Sequence, residues 1–252
     1  MLNTILHGTP TDRPPLLIAH GLYGSARNWG VIAKRLSDER QVIAVDMRNH
    51  GNSPWSDSHS YPDMAEDLAE VIAAHGGQMD VIGHSMGGKA SMMLALLHPQ
   101  AVRRLLVADI APVSYTHSQI QFIEAMRQVD LEQVTRRSDA HAQLAKLGVE
   151  PALQSFFTQS LDIQGKRWLL NLDALANHMP DIMSFPQVEA SWDGLALFLS
   201  GANSDYVLPE HRPQIRAKFP NARFAKIPDA GHWLHAENPR AFEQTARAFF
   251  NA

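Results

Sequence analysis

Short apolar runs alternate with amphipathic stretches along the first half of the chain. Four runs have the composition of buried parallel strands: residues 15–20, 41–47, 79–84 and 102–110. Between them, apolar residues at helical spacing, bounded by proline and glycine, indicate helices, as in "YPDMAEDLAEVIAAHGG". This alternation predicts an α/β fold with a mostly parallel sheet that is flanked by helices on both faces.

The alternation stops after Pro112. Residues 114–188 contain several stretches with a helical pattern, and no convincing strand interrupts them. Strands return at residues 195–201 and 222–228, and a last helix is predicted over residues 239–250. A helical block is therefore inserted between two strands of the predicted sheet.

The place of this block suggests what it does. Ligands bind at the C-terminal side of the strands in open parallel sheets, and the insertion starts at that side. We predict an α/β core domain formed by residues 1–113 and 189–252, and a helical cap over the active site formed by residues 114–188 as an insertion in the same domain. The alternative is an excursion that only packs on the edge of the sheet.

The composition removes several classes of function. A formal charge of −4 over 252 residues gives no electrostatic case for binding nucleic acid or an anionic membrane surface. Cysteine is absent, which excludes disulfides, thiolate metal sites and cysteine nucleophiles. The N-terminus lacks the pattern of a signal peptide, and no apolar run approaches the roughly 20 residues that span a bilayer. We expect a cytoplasmic monomer or homodimer that has no stable membrane association.

The segment "GHSMGG" fits the pattern G-x-S-x-G between a predicted strand and a predicted helix. A sharp turn at this point projects Ser85 above the sheet in a strained conformation. Side chains at Gly83 and Gly87 would collide with the neighbouring backbone. The start of the following helix offers unpaired N–H groups to a developing oxyanion. The segment therefore predicts a serine nucleophile.

The segment "HGLYGS" follows an earlier predicted strand and is expected to form the opposite wall of the site. In an oxyanion hole of this type, one N–H comes from the residue after the nucleophile, which is Met86. The second comes from the opposite loop, and we assign it to the backbone of Leu22.

The segment "DAGHWLHAENP" supplies a base for the serine. His232 lies between the last predicted strand and the last helix, so its ring can reach the sheet edge and take the proton of the serine. His235 is its competitor. No acidic cluster accompanies these two histidines, so they do not predict a metal site. The other eleven histidines are expected on the surface or in loops, with His84 shaping the pocket.

Several motifs together resemble a known fold family. "HGLYGS", "DMRNHGNS", "GHSMGG" and "AGHWLHAENP" occur in the order and spacing of the α/β-hydrolase fold, over nearly the whole chain. More narrowly, "DMRNHGNS", "DIAPVSY", "NLDAL" and "GANSDYV" resemble the small YbfF-type esterases and their mitochondrial ABHD11-like relatives. The resemblance implies a cap inserted after the sixth strand and a serine hydrolase that acts on acyl esters, with acyl-CoA thioesters as a further substrate class.

The histidine needs a buried carboxylate to hold its tautomer. Many α/β-hydrolases place this acid after the strand that follows the cap, in a pattern like G-x-x-D-x-x-V. Laid over residues 201–207, the acid position falls on Ser204, and Asp205 comes one residue later. Asp109 ends the strand after the nucleophile helix, where some members of the fold carry their acid. We expect Asp109 as the acid, with Asp205 as the alternative and Asp173 as a third candidate.

The expected activity is hydrolysis of carboxylic esters with short to medium acyl chains through an acyl-enzyme on Ser85, without a metal or an organic cofactor. The alternatives are a C–C bond hydrolase, a lyase of the menaquinone-pathway type, and a non-catalytic binding module on the same fold. The expected substrate contacts are His20, Gly21, Tyr23, His84, Tyr206 and Trp233. Apolar cap residues either line an acyl pocket or, in most cases, pack the cap helices: Phe122, Met126, Phe156, Phe157, Trp168 and Leu172.

Overall fold

A seven-stranded sheet runs through the centre of the computed structural model, which describes residues 1–252. The strands in chain order are β1 (Thr4–His7), β2 (Leu16–Ala19), β3 (Val42–Val45), β4 (Met79–His84), β5 (Val102–Ala108), β6 (Leu161–Asp162), β7 (Arg167–Trp168), β8 (Leu195–Gly201) and β9 (Arg223–Ile227). The sheet has the order β1-β3-β2-β4-β5-β8-β9, and β6 pairs only with β7. Only β1 is antiparallel to its neighbour in the sheet, which confirms the mostly parallel arrangement.

Helices cover both faces of this sheet. In chain order they are α1 (Gly30–Leu36), α2 (Tyr61–Ala74), α3 (Met86–Leu97), α4 (Ile120–Arg127), α5 (Arg137–Lys146), α6 (Pro151–Phe157), α7 (Leu172–Asn177), α8 (Met179–Met183), α9 (Arg212–Lys218), α10 (Leu234–Glu237) and α11 (Pro239–Asn251). Short 3-10 turns lie at Ala26–Trp29, Leu131–Gln133, Thr158–Ser160 and Pro209–His211.

Two apolar layers hold the helices on the sheet. The layer on one face includes α2 and α3, and the layer on the other includes α1 and α11. On α11 the apolar residues recur at helical spacing, and Phe242, Ala246 and Phe249 are buried against the sheet. Strands β2, β3 and β4 are buried along their whole length, as expected for parallel strands that are covered on both faces.

Residues 114–188, called the inserted segment below, leave the sheet after β5 and return to it at β8. The segment is mainly helical, but β6 and β7 form a hairpin that the sequence pattern does not predict. Two-residue strands are too short to show an alternating pattern. After this hairpin α7 begins at Leu172, where the side chain of Asn171 caps it by accepting the N–H of Ala174.

The position of the insertion also differs from the expectation in one respect. The sequence comparison with the fold family placed it after the sixth strand, whereas in chain order it follows the fifth. The count of strands before the insertion is five because only one strand, β1, precedes β2. The neighbours β5 and β8 are parallel, so the inserted segment leaves the sheet at the C-terminal end of β5 and the chain crosses back to the N-terminal end of β8.

Candidate active site

Ser85 lies at the sharp turn between β4 and α3, as the G-x-S-x-G pattern predicts. Its backbone is in a strained region, with φ at 52° and ψ at −120°. A Cβ on Gly83 would collide with the carbonyl oxygen of Gly87, and a Cβ on Gly87 would collide with the carbonyl oxygens of Ala19 and His20. Both glycines are therefore required if the turn is to pack against β2 and α3.

Three side chains from three different loops form a continuous hydrogen-bonded series. His232 Nε2 lies 3.1 Å from Ser85 Oγ, and His232 Nδ1 lies 2.7 Å from Asp109 Oδ2. A carboxylate only accepts hydrogen bonds, so the imidazole proton lies on Nδ1 and the Nε2 lone pair faces the serine hydroxyl. This is the geometry that a nucleophile, its base and an orienting acid require.

Asp109 is completely buried and accepts hydrogen bonds from three donors. Besides the imidazole, it accepts the N–H of Gly201 at 3.0 Å and the hydroxyl of Ser204 at 2.5 Å. Its own backbone has a positive φ of 52°, because the chain turns sharply there at the end of β5. The donors offset the cost of burying a carboxylate.

The other candidate acids lie away from the histidine. Asp205 is exposed, and its carboxylate makes no hydrogen bond to His232, because a shift of one residue turns the side chain outward from the loop. Asp173 is 86% exposed and pairs with Arg127 on the surface of the inserted segment. The structure therefore brings neither of them to the imidazole.

The backbone N–H groups of Leu22 and Met86, two residues that line the cavity with Ser85, have no hydrogen-bond acceptor within the protein. Leu22 belongs to the loop after β2, and its N–H donates no hydrogen bond. Met86 is the first residue of α3, where an N–H has no intrahelical acceptor. Leu22, Met86 and Ser85 line a common cavity, and the assignment of the two N–H groups as oxyanion donors stays a prediction.

A cavity of about 280 Å³ lies at Ser85 and His232, both of which line it. It is lined by the six residues expected to contact the substrate: His20, Gly21, Tyr23, His84, Tyr206 and Trp233. Three of the apolar residues named from the inserted segment, Phe122, Phe156 and Phe157, also line it. The other three, Met126, Trp168 and Leu172, do not line it and pack within the segment, where the indole N–H of Trp168 donates to the carbonyl of Met126.

Sequence and structure comparisons agree with this geometry. A family profile for the alpha/beta hydrolase fold matches residues 14–239. The chain belongs to the α/β-hydrolase family. It is 41% identical over 247 residues to the mouse (Mus musculus) protein named "sn-1-specific diacylglycerol lipase ABHD11", with 94% of this chain and 80% of that protein covered. It is 39% identical to "Esterase YbfF" of Escherichia coli K12, with 95% and 94% covered.

A solved structure named "Marine microorganism esterase" superposes on this hydrolase with a TM-score of 0.92 and 37% sequence identity, covering 99% of this chain and all of that one. The similarity to the YbfF and ABHD11 proteins that the motifs suggested is therefore confirmed, and the chain is a carboxylester hydrolase. None of its helices is both long enough and apolar enough to cross a membrane. No group of three or more His, Asp or Glu side chains is arranged to hold a metal ion.

The remaining histidines are expected on the surface or in loops, and His20, His50 and His59 do lie in loops, but their side chains are buried. Five histidines of this hydrolase other than His232 are buried around its active site: His20, His50, His59, His84 and His235. Burial lowers the pKa of each, to about 3 for His59 and His235, so all five stay neutral at ordinary pH. Histidine is expected at intermediate burial from its average behaviour, and nothing in the local pattern marked these positions.

His84, the residue before the nucleophile, holds the backbone of His232. Its Nε2–H donates to the carbonyl oxygen of His232 at 2.8 Å, and the two rings are 4.8 Å apart. The ring of His235 lies 4.8 Å from that of His84 and stacks on Trp29, with centroids 4.0 Å apart and planes nearly parallel. His235 Nδ1 is buried and has no hydrogen-bond partner.

Lys89 lies one turn beyond Ser85 on α3 and lines the same cavity, a role that the sequence did not suggest. Its ammonium donates to three successive carbonyl oxygens, those of Ile182, Met183 and Ser184, at the C-terminal end of α8. The hydroxyl of Tyr61 also donates to Ile182 at 2.6 Å. Burial lowers the pKa of Lys89 to about 7. The nucleophile helix is thereby tied directly to the inserted segment.

Proposed function

We propose that Ser85, His232 and Asp109 act as nucleophile, general base and orienting acid in the hydrolysis of carboxylic esters. The observation that carries the proposal is the series of contacts from Ser85 Oγ to His232 Nε2 at 3.1 Å and from His232 Nδ1 to Asp109 at 2.7 Å. As the serine oxygen attacks the ester carbonyl carbon, its proton passes to Nε2. The buried carboxylate stabilises the imidazolium that results, and the imidazolium then gives its new proton to the leaving alcohol.

The second half of the reaction repeats the first with water. Water takes the place of the departed alcohol, and His232 removes its proton as it attacks the acyl-serine. The acid is released, and the proton on Nε2 returns to Ser85 Oγ. In both halves the carbonyl oxygen becomes an oxyanion, and the N–H groups of Leu22 and Met86 are placed to stabilise it.

The proposed substrates carry short to medium acyl chains, on esters and on acyl-CoA thioesters. The cavity of about 280 Å³ is slightly smaller than the usual range for small-molecule sites, roughly 300–1,000 Å³. Its lining includes three aromatic side chains of the inserted segment, Phe122, Phe156 and Phe157, which suit an alkyl chain. In this proposal the inserted segment is a cap on the core domain of residues 1–113 and 189–252, and it shields the acyl chain from water.

The test of the proposal is covalent labelling of the serine by a fluorophosphonate, mapped by mass spectrometry of the digested protein. The wild type should carry one phosphonyl group on Ser85, and Ser85→Ala should carry none. Labelling of another residue, or none in the folded wild type, would contradict the assignment. Activity across p-nitrophenyl esters, acyl-CoA thioesters and a diacylglycerol then separates the substrate classes. Cytoplasmic location and a monomeric or homodimeric state stay predictions from the sequence.

A further inference from the structure

Tyr206 contacts the histidine of the proposed triad more closely than any other aromatic side chain does. Its ring stacks face to face on the imidazole of His232, with centroids 4.0 Å apart and an interplanar angle of 20°. The next aromatic neighbours of that imidazole, His84 and Trp233, lie at 4.8 Å and 5.6 Å in tilted and edge-on arrangements. The sequence predicts substrate contact for Tyr206, but the stacking places one ring face on the histidine.

The backbone of Tyr206 is held from two directions. The hydroxyl of Tyr115 donates to the Tyr206 carbonyl at 2.7 Å, and the same hydroxyl accepts the N–H of Ala111 at 3.0 Å. The N–H of Tyr206 donates to Ser204 Oγ at 3.3 Å, and Ser204 in turn donates to Asp109. The loop that carries Tyr206 is therefore fixed to the acid on one side and to the inserted segment on the other.

The phenol of Tyr206 has a separate partner. Its hydroxyl lies 2.9 Å from Nε2 of His117, a residue of the inserted segment that is otherwise exposed. The hydroxyl thus points away from the imidazole, and only the ring face meets His232. The stacking contact and the hydroxyl contact can be removed independently by substitution.

From these contacts we infer that Tyr206 is a positioning residue for the general base, an inference that rests on the proposed function. Rotation of the imidazole about its Cβ–Cγ bond would break the contact between Nε2 and Ser85, and the stacked phenol opposes that rotation. When the serine proton reaches Nε2, the imidazole becomes a cation against the electron-rich face of the phenol, which stabilises it. The bond from Tyr115 makes the inserted segment part of this support.

The experiment compares Tyr206→Phe with Tyr206→Leu on p-nitrophenyl acetate, whose acyl group is too small to fill the cavity. Phenylalanine keeps the ring face and loses only the bond to His117, so kcat and KM should stay within about twofold of the wild type. Leucine keeps an apolar shield and loses the ring face. Its kcat should fall roughly five- to tenfold at nearly unchanged KM, the size expected for the loss of one aromatic stacking contact.

A second readout follows the same proton transfer without an acyl substrate. The rate constant for labelling of Ser85 by a fluorophosphonate should fall in parallel with kcat in Tyr206→Leu and not in Tyr206→Phe. Far-UV circular dichroism and a thermal melt check that the leucine variant is folded, and Tyr206→Met replaces it if it is not. The same fall is expected for methionine, which also lacks a ring.

Two results would overturn the inference. A rise in KM at unchanged kcat and unchanged labelling rate in the leucine or methionine variant would return Tyr206 to substrate contact alone. Equal losses in Tyr206→Phe and Tyr206→Leu would assign the effect to the hydroxyl and His117. Failure of the proposed function looks different, because wild-type Ser85 would then remain unlabelled whatever residue stands at position 206.

Discussion

Ser204 donates its hydroxyl hydrogen bond to Asp109, on the same carboxylate oxygen that accepts the imidazole N–H of His232. Ser204 occupies the position at which many hydrolases of this fold carry the acid itself. The proposed acid of this chain, Asp109, stands at the end of β5, and the loop after the neighbouring strand β8 supplies a donor to it. The two strand ends are adjacent, so one carboxylate site can be reached from either loop.

This adjacency predicts that the acid can be moved from one loop to the other. Asp109→Asn alone should lose most activity, because an amide at this place favours the wrong imidazole tautomer. Adding Ser204→Asp returns a carboxylate within reach of Nδ1, and kcat should recover at least roughly tenfold over the single variant. The rate of p-nitrophenyl butyrate hydrolysis measures this recovery of kcat. Matching rates for the single and double variants would show that position 204 cannot orient the imidazole.

The buried histidines predict loss of stability in acid. In the unfolded chain each histidine takes up a proton near pH 6.5, whereas in the folded protein the pKa of His59 and His235 is about 3. The unfolded state therefore binds more protons below about pH 6.5. As the pH is lowered, the free energy of unfolding decreases by about 1.4 kcal/mol per pH unit for each such histidine.

Urea unfolding between about pH 7 and about pH 5 measures this slope. His235→Phe removes one of the buried histidines and replaces its unpaired ring nitrogen by carbon. The slope of the free energy of unfolding against pH should therefore decrease by the contribution of one histidine. His7→Phe is the matched control, because His7 is not among the buried histidines and should leave the slope unchanged. If both variants kept the wild-type slope, His235 would not be a neutral buried group.

The buried Lys89 predicts a change of stability at alkaline pH. Its pKa is about 7 in the folded protein and about 10.4 in an unfolded chain, so between these values the unfolded state binds the extra proton. The cost of burying the ammonium is fully present below about pH 7 and is relieved as the pH rises, which makes the protein more stable toward alkaline pH. Thermal melts between about pH 7.5 and about pH 9.5 should show a rising Tm. Lys89→Met should flatten that rise; a variant with the wild-type slope would show that the ammonium does not titrate in this window.

The size of the cavity predicts a maximum length for the acyl chain. A larger side chain in the cavity lining should reduce that maximum length. Leu153 lines the cavity from α6, and Leu153→Trp should reduce kcat/KM on p-nitrophenyl octanoate by roughly tenfold or more while it leaves the acetate almost unaffected. Leu147→Trp adds the same ring at an exposed position outside the cavity and serves as the control. An equal loss on both esters, or the same loss in the control, would place the acyl chain elsewhere.

The sequence predicts the central features of this fold because they rest on local patterns. The strands around Ser85 are continuous apolar runs, and β4 and β8 have the predicted bounds. The turn at Ser85 requires glycines that the motif displays. By contrast, β1 is an edge strand with partly exposed residues, so it gives no apolar run. The two-residue strands β6 and β7 are shorter than any pattern can reveal.

The site is less predictable than the fold because it depends on contacts across long stretches of chain. The sequence indicates Ser85 and His232 from motifs, but the choice of Asp109 over Asp205 rests on which side chain is turned inward at a loop. The role of Lys89 arises from the end of α8, a helix more than ninety residues further along the chain. No periodicity connects such positions, and only the folded structure brings them together.

The most direct measurement is the comparison of Asp109→Asn with Asp205→Asn in kcat/KM for p-nitrophenyl butyrate at neutral pH. Asp109 is completely buried on the imidazole, whereas Asp205 is exposed in the neighbouring loop. We predict that Asp109→Asn falls by roughly 10³–10⁴-fold, while Asp205→Asn stays within about threefold of the wild type. The reverse ranking, or an Asp109→Asn variant that is folded and nearly as active as the wild type, would contradict the assignment of the triad.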